Sequence, residues 1–274
     1  MYKLPLTIIL LFYGTFLFAQ NTTYLNSSNK RINNEEKAVT KFEIITHNDS
    51  TFSIYKSVFN KRKWRNPEFQ STILKKSESV FHAFANINNR NNYQILEIID
   101  TLAIGYKVKL TNENNVMLYS GEVINLFPLI FHGNCTLFDT DGLPMARMAY
   151  NNGEKLNEEL LFNPTDSTIT ITQFPEFPEG QRAFLNEIAF GVRYPVPANY
   201  RNIGNDVYVK FTIDEEGKMS QFSEAINSDK VLVKEGIRVV SSINKLWRPA
   251  TSNGIKIPVL YYAKISFKGA FVIK

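Results

Sequence analysis

Residues 246–267 read LWRPATSNGIKIPVLYYAKISF, and from Ile255 onward the stretch alternates. Ile257, Val259, Tyr261, Ala263, Ile265 and Phe267 are apolar. Lys256, Pro258, Leu260, Tyr262, Lys264 and Ser266 between them are mostly polar or amphipathic. Period-two alternation predicts a strand with one face on a core. Pro258 lies inside it, and proline has no N–H to give a central ladder. The pattern therefore predicts a long strand at a sheet edge, where unpaired backbone can accept another chain.

Upstream of this stretch the signals are equally regular. Val207 to Ile213 alternates, Asp214-Glu215-Glu216-Gly217 predicts a turn, and Met219 to Ile226 is the return strand. Asp229 suits the N-cap of a helix in which Val233, Ile237, Val240 and Ile243 form one stripe. Trp247 is expected to close that helix onto the sheet, Pro249 to stop it, and Asn253-Gly254 to turn into the last strand. An earlier helix is predicted over 179–190, with Phe184, Leu185, Ile188 and Ala189 on one face and Pro178-Glu179 in its first turn. The order helix, strand, strand, helix, strand predicts an α+β unit, two helices on one face of a three-stranded antiparallel sheet.

FPEFPEGQRAFLNEI at 174–188, Tyr194-Pro195, VYVKFTIDEEGK at 207–218, IRVV at 237–240 and the closing stretch occur in an order that resembles the TonB family C-terminal domain. The form is the one common in Bacteroidota-type bacteria, and the resemblance covers residues 174–268. It departs at Asn205, where glycine is usual, at Gly236 inside the helix, and at Glu224 in the second strand. The resemblance implies a domain that binds a short segment of an outer-membrane transporter as an added strand. Backbone hydrogen bonds would supply affinity and alternate side chains the selectivity. On that analogy Leu260, Tyr262, Lys264 and Ser266 lie along the partner-binding edge, with Tyr262, Lys264 and Ser266 facing out. Tyr194 and Pro195 shape its approach. Trp247, Pro249 and Gly254 are expected to be structural.

The chain begins differently from a membrane-tethered transducer. Lys3, an apolar run from Leu4 to Ala19 and then polar Gln20-Asn21-Thr22 predict a secretory signal peptide over 1–20. The run is short for a span of about 20 apolar residues. Residues 21–40 are polar and predict a flexible lead. Residues 41–173 predict a β-rich module, with hairpins at 47–50 and 112–115 and one helix over Ser71–Ile87. Asp141-Gly142 and Asn152-Gly153 are strong hairpin turns, and residues 132–162 weakly resemble MORN-like repeats. Asn163-Pro164 and the proline-punctuated 174–180 predict the boundary to the C-terminal unit at 174–274.

Several function classes are disfavoured. A net charge of +5 without a basic stripe gives no nucleic-acid footprint. Three histidines and one cysteine, without ligand spacing, give no metal site and no cofactor. Cys135 is expected to be buried as a small hydrophobe. No nucleophile, phosphate-loop or dinucleotide motif occurs, so a catalytic role is not expected. The expectation is a non-catalytic periplasmic protein docking a peptide of a transporter-like envelope partner. The alternatives are a membrane-anchored divergent TonB energy transducer that keeps residues 4–19, and a structural homodimer joined through the last strand.

Overall fold

The computed structural model describes residues 22–60, 62–85, 93–195 and 205–267. The expected signal peptide lies outside them. The N-terminal half is one antiparallel sheet built as a meander. Its strands are β1 (Thr22–Leu25), β2 (Arg31–Ile32), β3 (Thr40–Asn48), β4 (Thr51–Asn60), β5 (Lys63–Trp64), β6 (Glu68–Lys75) and β7 (Val80–Phe84). They continue as β8 (Tyr93–Thr101), β9 (Tyr106–Asn112), β10 (Met117–Asn125), β11 (Ile130–Phe138), β12 (Pro144–Asn151) and β13 (Glu154–Leu160). Almost every strand pairs with its sequence neighbour, and the order runs from β13 back to β3, then β1 and β2.

Short polar turns set the register. Asn48 Oδ1 accepts the Ser50 amide at 3.0 Å, and Asn112 Oδ1 accepts those of Asn114 and Val116 at 2.9 and 3.0 Å. Asn152 and Gly153 both have positive φ, 51° and 92°, the twist that suits a two-residue hairpin. The sheet rolls until its two ends meet. The Arg31 amide donates to the Asn152 carbonyl at 2.7 Å, and Lys30 lies 3.7 Å from Glu154. Phe52, Ile73, Phe81, Leu96 and Val108 form the buried lining, and Phe127 packs edge-on against Phe52 and Phe81. Cys135 is buried opposite Gly121. A Cβ on Gly121 would come within 2.3 Å of the Cys135 Cβ, so glycine makes the room.

Two expectations for this half are corrected. The helix over Ser71–Ile87 is instead the β6–β7 hairpin. Ser77 Oγ accepts the Ser79 and Val80 amides at 3.3 and 3.1 Å and turns the chain where a helix would have continued. The polar lead is also structured: β1 pairs β3 from Thr22↔Glu43 to Leu25↔Thr40 and buries Thr23 and Leu25. Two inward side chains sufficed to anchor a segment whose composition is otherwise polar.

The C-terminal unit begins earlier than 174. β14 (Asn163–Pro164) belongs to its sheet, which is four-stranded, in the order β14, β19, β15, β16. The remaining elements are α1 (Gln181–Gly191), β15 (Asn205–Ile213), β16 (Met219–Glu224), α2 (Lys230–Ser241), β17 (Ala250–Ser252), β18 (Ile255–Ile257) and β19 (Val259–Phe267). The α+β class is as predicted; the extra strand is new. Residues 163–180 are no loose linker. The Glu176 and Arg248 backbones exchange hydrogen bonds at 3.0 and 2.8 Å, and Phe177 is fully buried. Glu179 and Gly180 have positive φ, so α1 starts at Gln181, after the expected Pro178-Glu179 turn. Phe184 and Ile188 face the core as predicted, whereas Leu185 and Ala189 are exposed.

Asp229 caps α2 by accepting the Val231 and Leu232 amides. Gly236 is buried on the sheet side: a Cβ there would lie 3.2 Å from Val209 and 3.3 Å from Val207. The unexpected glycine lets α2 sit close to β15, which answers its poor helix propensity. Trp247 is buried among Phe177, Phe184 and Tyr261, with ring centroids 5.2, 5.1 and 5.7 Å away. Pro258 splits the predicted last strand, so Asn253-Gly254 turns β17 into the short β18, with φ of 49° and 83°.

Candidate functional site

β19 pairs β15 along its whole length, from Asn205↔Phe267 to Ile213↔Val259, without a register break. The outer side of β19 is different. β14 meets it only at Asn163↔Leu260 and Pro164↔Val259, and the Thr165 amide donates to the Pro258 carbonyl at 3.3 Å. Hydrogen-bonded positions alternate along an antiparallel strand. The backbone groups of Pro258 and Leu260 therefore point away from β15, and so do those of Tyr262, Lys264 and Ser266, although Tyr262 is wholly buried there. Pro258 has no N–H to leave unpaired there. Beyond Leu260, no other strand among the described residues pairs with this edge.

The side chains of β19 divide between two faces. Tyr261, Ala263 and Ile265 join Val207, Val209, Phe211 and Ile213 under the helices. Tyr262, Lys264 and Ser266 share the opposite face with Lys210, Tyr208 and Asp206, their direct cross-strand partners. The N-terminal half covers much of that face. Tyr262 is fully buried with Met145, Tyr208 and Ala225. The Thr140 amide donates to the Ala225 carbonyl at 2.8 Å, carrying the β11–β12 turn across to the far end of β16.

Two clusters of charge hold this contact. In the first, Asp139, wholly buried, accepts from Lys210 Nζ at 3.0 Å and from the Tyr262 hydroxyl at 3.1 Å on Oδ2. Its Oδ1 takes the Asp141 and Leu143 amides, both at 2.9 Å. Asp141 is the second partner of Lys210. Burial opposes the Lys210 charge, but the bonds to Asp141 and Asp139 outweigh it and hold the ammonium above its usual range. In the second cluster, Glu158 accepts from Tyr208 and Lys264, each at 2.5 Å, and from Lys155 at 2.8 Å. Burial pushes Glu158 up, yet those donors together leave its carboxyl below the ordinary value. Lys264, also 3.1 Å from Asp206, is raised. Burial drives the Tyr208 and Tyr262 hydroxyls up, so both stay protonated as donors.

The expectation that Tyr262 and Lys264 face out is therefore corrected. Their side chains are bound by the molecule's own N-terminal half, and only Ser266 is exposed, donating to Asp206 at 2.6 Å. Lys264 and Ser266 offer backbone outward, whereas Tyr262 is wholly buried, backbone included. Leu260 is already paired to Asn163. Tyr194 stands edge-on to Phe267 at 6.0 Å, at the far end of the strand, with Pro195 beside it half-buried. α2 ends at Ser241, not at Pro249 as expected; Trp247 lies past that end, and its amide donates to the Gly217 carbonyl of the β15–β16 turn at 2.8 Å. Pro249 follows it into β17, and Gly254 occupies a left-handed turn. The polar clusters were missed in sequence. The only signal was that Asp139, Glu158, Lys210 and Lys264 each interrupt or flank strongly patterned strands.

No group of three or more histidine, cysteine, aspartate or glutamate side chains among the described residues is placed to hold a metal ion. No helix among them is long and apolar enough to cross a membrane. The hairpins at 132–162 form, but nothing further supports the MORN-like resemblance. Searches of curated proteins and of solved structures returned no match. The family model described as Gram-negative bacterial TonB protein C-terminal matches residues 191–268, from the last residue of α1 through β19, and this part of the chain is similar to a TonB C-terminal domain.

Proposed function

We propose that the protein is a non-catalytic periplasmic binding protein that docks an extended peptide segment of an outer-membrane transporter or another envelope partner along β19. The observation that carries this reading is the edge itself. The backbone of Lys264 and Ser266 points away from β15 past the point where β14 ends, and neither residue is fully buried. An added strand would continue the sheet there, as in other β-augmentation complexes. The match to the TonB C-terminal family at 191–268 supports the same reading, because domains of that family bind transporter segments in the periplasm. β14 and the burial of Tyr262 narrow the site: Val259 and Leu260 are paired and Tyr262 is covered, so a docked strand has Ala263–Phe267. The covered face assigns selectivity to residues near the strand's open end, Tyr194, Pro195 and Ser266, rather than to Tyr262 or Lys264.

The test is amide exchange. Synthetic peptides from the periplasmic segments of TonB-dependent transporters are titrated into the full chain. The expected result is added protection of the Lys264 and Ser266 amides, and its loss in Ser266→Pro but not in Ser266→Ala. Circular dichroism verifies that both variants are folded. Protection confined to other strands, or unchanged binding by folded Ser266→Pro, refutes docking at this edge.

A further inference from the structure

The rolled N-terminal sheet lines an open-mouthed cavity of about 330 Å³ that the docking edge does not use. One wall is the inner face of β3 to β9, and the other is the Leu126–Leu129 segment folded back over it. The space exists because small side chains replace large ones at one end of that face. Ala83 is registered against Ile73 on β6 and Gln94 on β8, whereas the neighbouring position on β7 carries Phe81, which Phe127 fills against. Ser71 and Ala85 continue the small-residue floor.

The cavity is graded. Its deep end is formed by buried Ile54, Ile73 and Leu96, and its outer end by exposed Gln70, Ala85 and Gln94. None of its lining residues, among the described residues, carries a charge. A volume of this size sits at the lower end of small-ligand sites, which are mostly apolar with a few polar groups to fix orientation. At about 30 Å³ per water-sized group it has room for roughly ten such groups. This second core thus has an apolar interior and a mouth whose described residues can hydrogen-bond but carry no charge to neutralise an ion.

We infer that this cavity binds an uncharged amphiphile with a single aliphatic chain, the tail against Ile54, Ile73 and Leu96 and a hydroxyl, ester or amide head at Gln70 and Gln94. A charged head would lose its water at the mouth without gaining a counter-ion from the described residues, a large cost. The site is independent of the strand edge and stands whether or not a peptide docks there.

The experiment titrates the full chain with N-phenyl-1-naphthylamine, an uncharged dye that brightens in apolar sites, and then displaces it. Saturable binding is expected, with displacement by decanol at least tenfold better than by decyl sulfate. Ala83→Phe, which fills the floor, should abolish the saturable signal. Ala85→Trp, at an exposed position that the fold tolerates, should weaken it at least tenfold. Leu185→Ser, on the exposed side of α1, should leave it unchanged. Absence of saturable binding in the wild type overturns the inference, and so does equal displacement by decyl sulfate. Wild-type affinity in folded Ala85→Trp overturns it as well, even where Ala83→Phe fails to fold.

Discussion

Lys210→Met removes the charge that faces buried Asp139 while keeping most of the aliphatic volume. The Lys210 side chain is 11 % exposed and the Asp139 side chain not at all. Breaking a buried pair from one side costs about 3–5 kcal/mol, because the remaining charge is left in a poor solvent. Asp139 would not be bare: it keeps two backbone amides on Oδ1 and the Tyr262 hydroxyl on Oδ2. The expected loss is therefore at the lower end, about 3 kcal/mol. For a chain of this size that is roughly 6–12 °C in Tm, at about 2–4 °C per kcal/mol. Because the pair joins the two halves, near-ultraviolet circular dichroism of the tyrosines should change along with Tm. Adding Asp139→Asn removes the stranded charge and keeps the amide contacts, and should restore about 1–2 kcal/mol. A loss below about 1 kcal/mol in Lys210→Met, or no recovery in the double variant, would refute the view that this pair clamps the halves.

The clamp should depend on pH at both ends. Glu158 is depressed in the folded chain, so its contribution is present above the unfolded carboxyl value, about 4.3, and fades as pH falls through the lower folded value. Lys210 and Lys264 are raised, so theirs is full below about 10.4 and fades as pH rises through the higher folded values. Thermal melts should thus plateau between about pH 5 and 10 and fall on either side, and Glu158→Gln should flatten the acid limb. Gly217→Ala should destabilise strongly. Its φ of +83° costs a residue with a Cβ about 1–2 kcal/mol, and that Cβ would lie 1.8 Å from the Trp247 carbonyl oxygen. Gly236→Val should push α2 off β15 and cost about 1–3 kcal/mol, as overpacking does, measured by urea denaturation with an unchanged slope.

The C-terminal unit was legible because its signals are local and mutually consistent. Strand alternation at 207–213, the alternation from Ile255 that Pro258 divides, and the Asp229 cap each carry a local signal of what formed. The polar face of the same strands was misread for a physical reason. Alternation tells which residues avoid the helix-side core, but it cannot distinguish water from a polar surface of the same molecule. Tyr262 and Lys264 look solvent-facing in sequence because their partners, Asp139 and Glu158, are more than a hundred residues away. In the N-terminal half, Phe81 and Phe84 suggest helical spacing, and the decisive Ser77 turn is a single hydroxyl. β14 could not be seen because two residues, one of them proline, carry no periodicity.

The unbroken β15–β19 ladder has a mechanical consequence. A pull along a strand hooked beside β19 would run parallel to β19 and strain its nine pairs to β15 together, so none can yield before the others. The same two strands are riveted through Lys210, Tyr208 and Lys264 to the N-terminal sheet. Tension arriving at the C-terminal domain would thus spread into the larger half instead of stopping at a flexible joint.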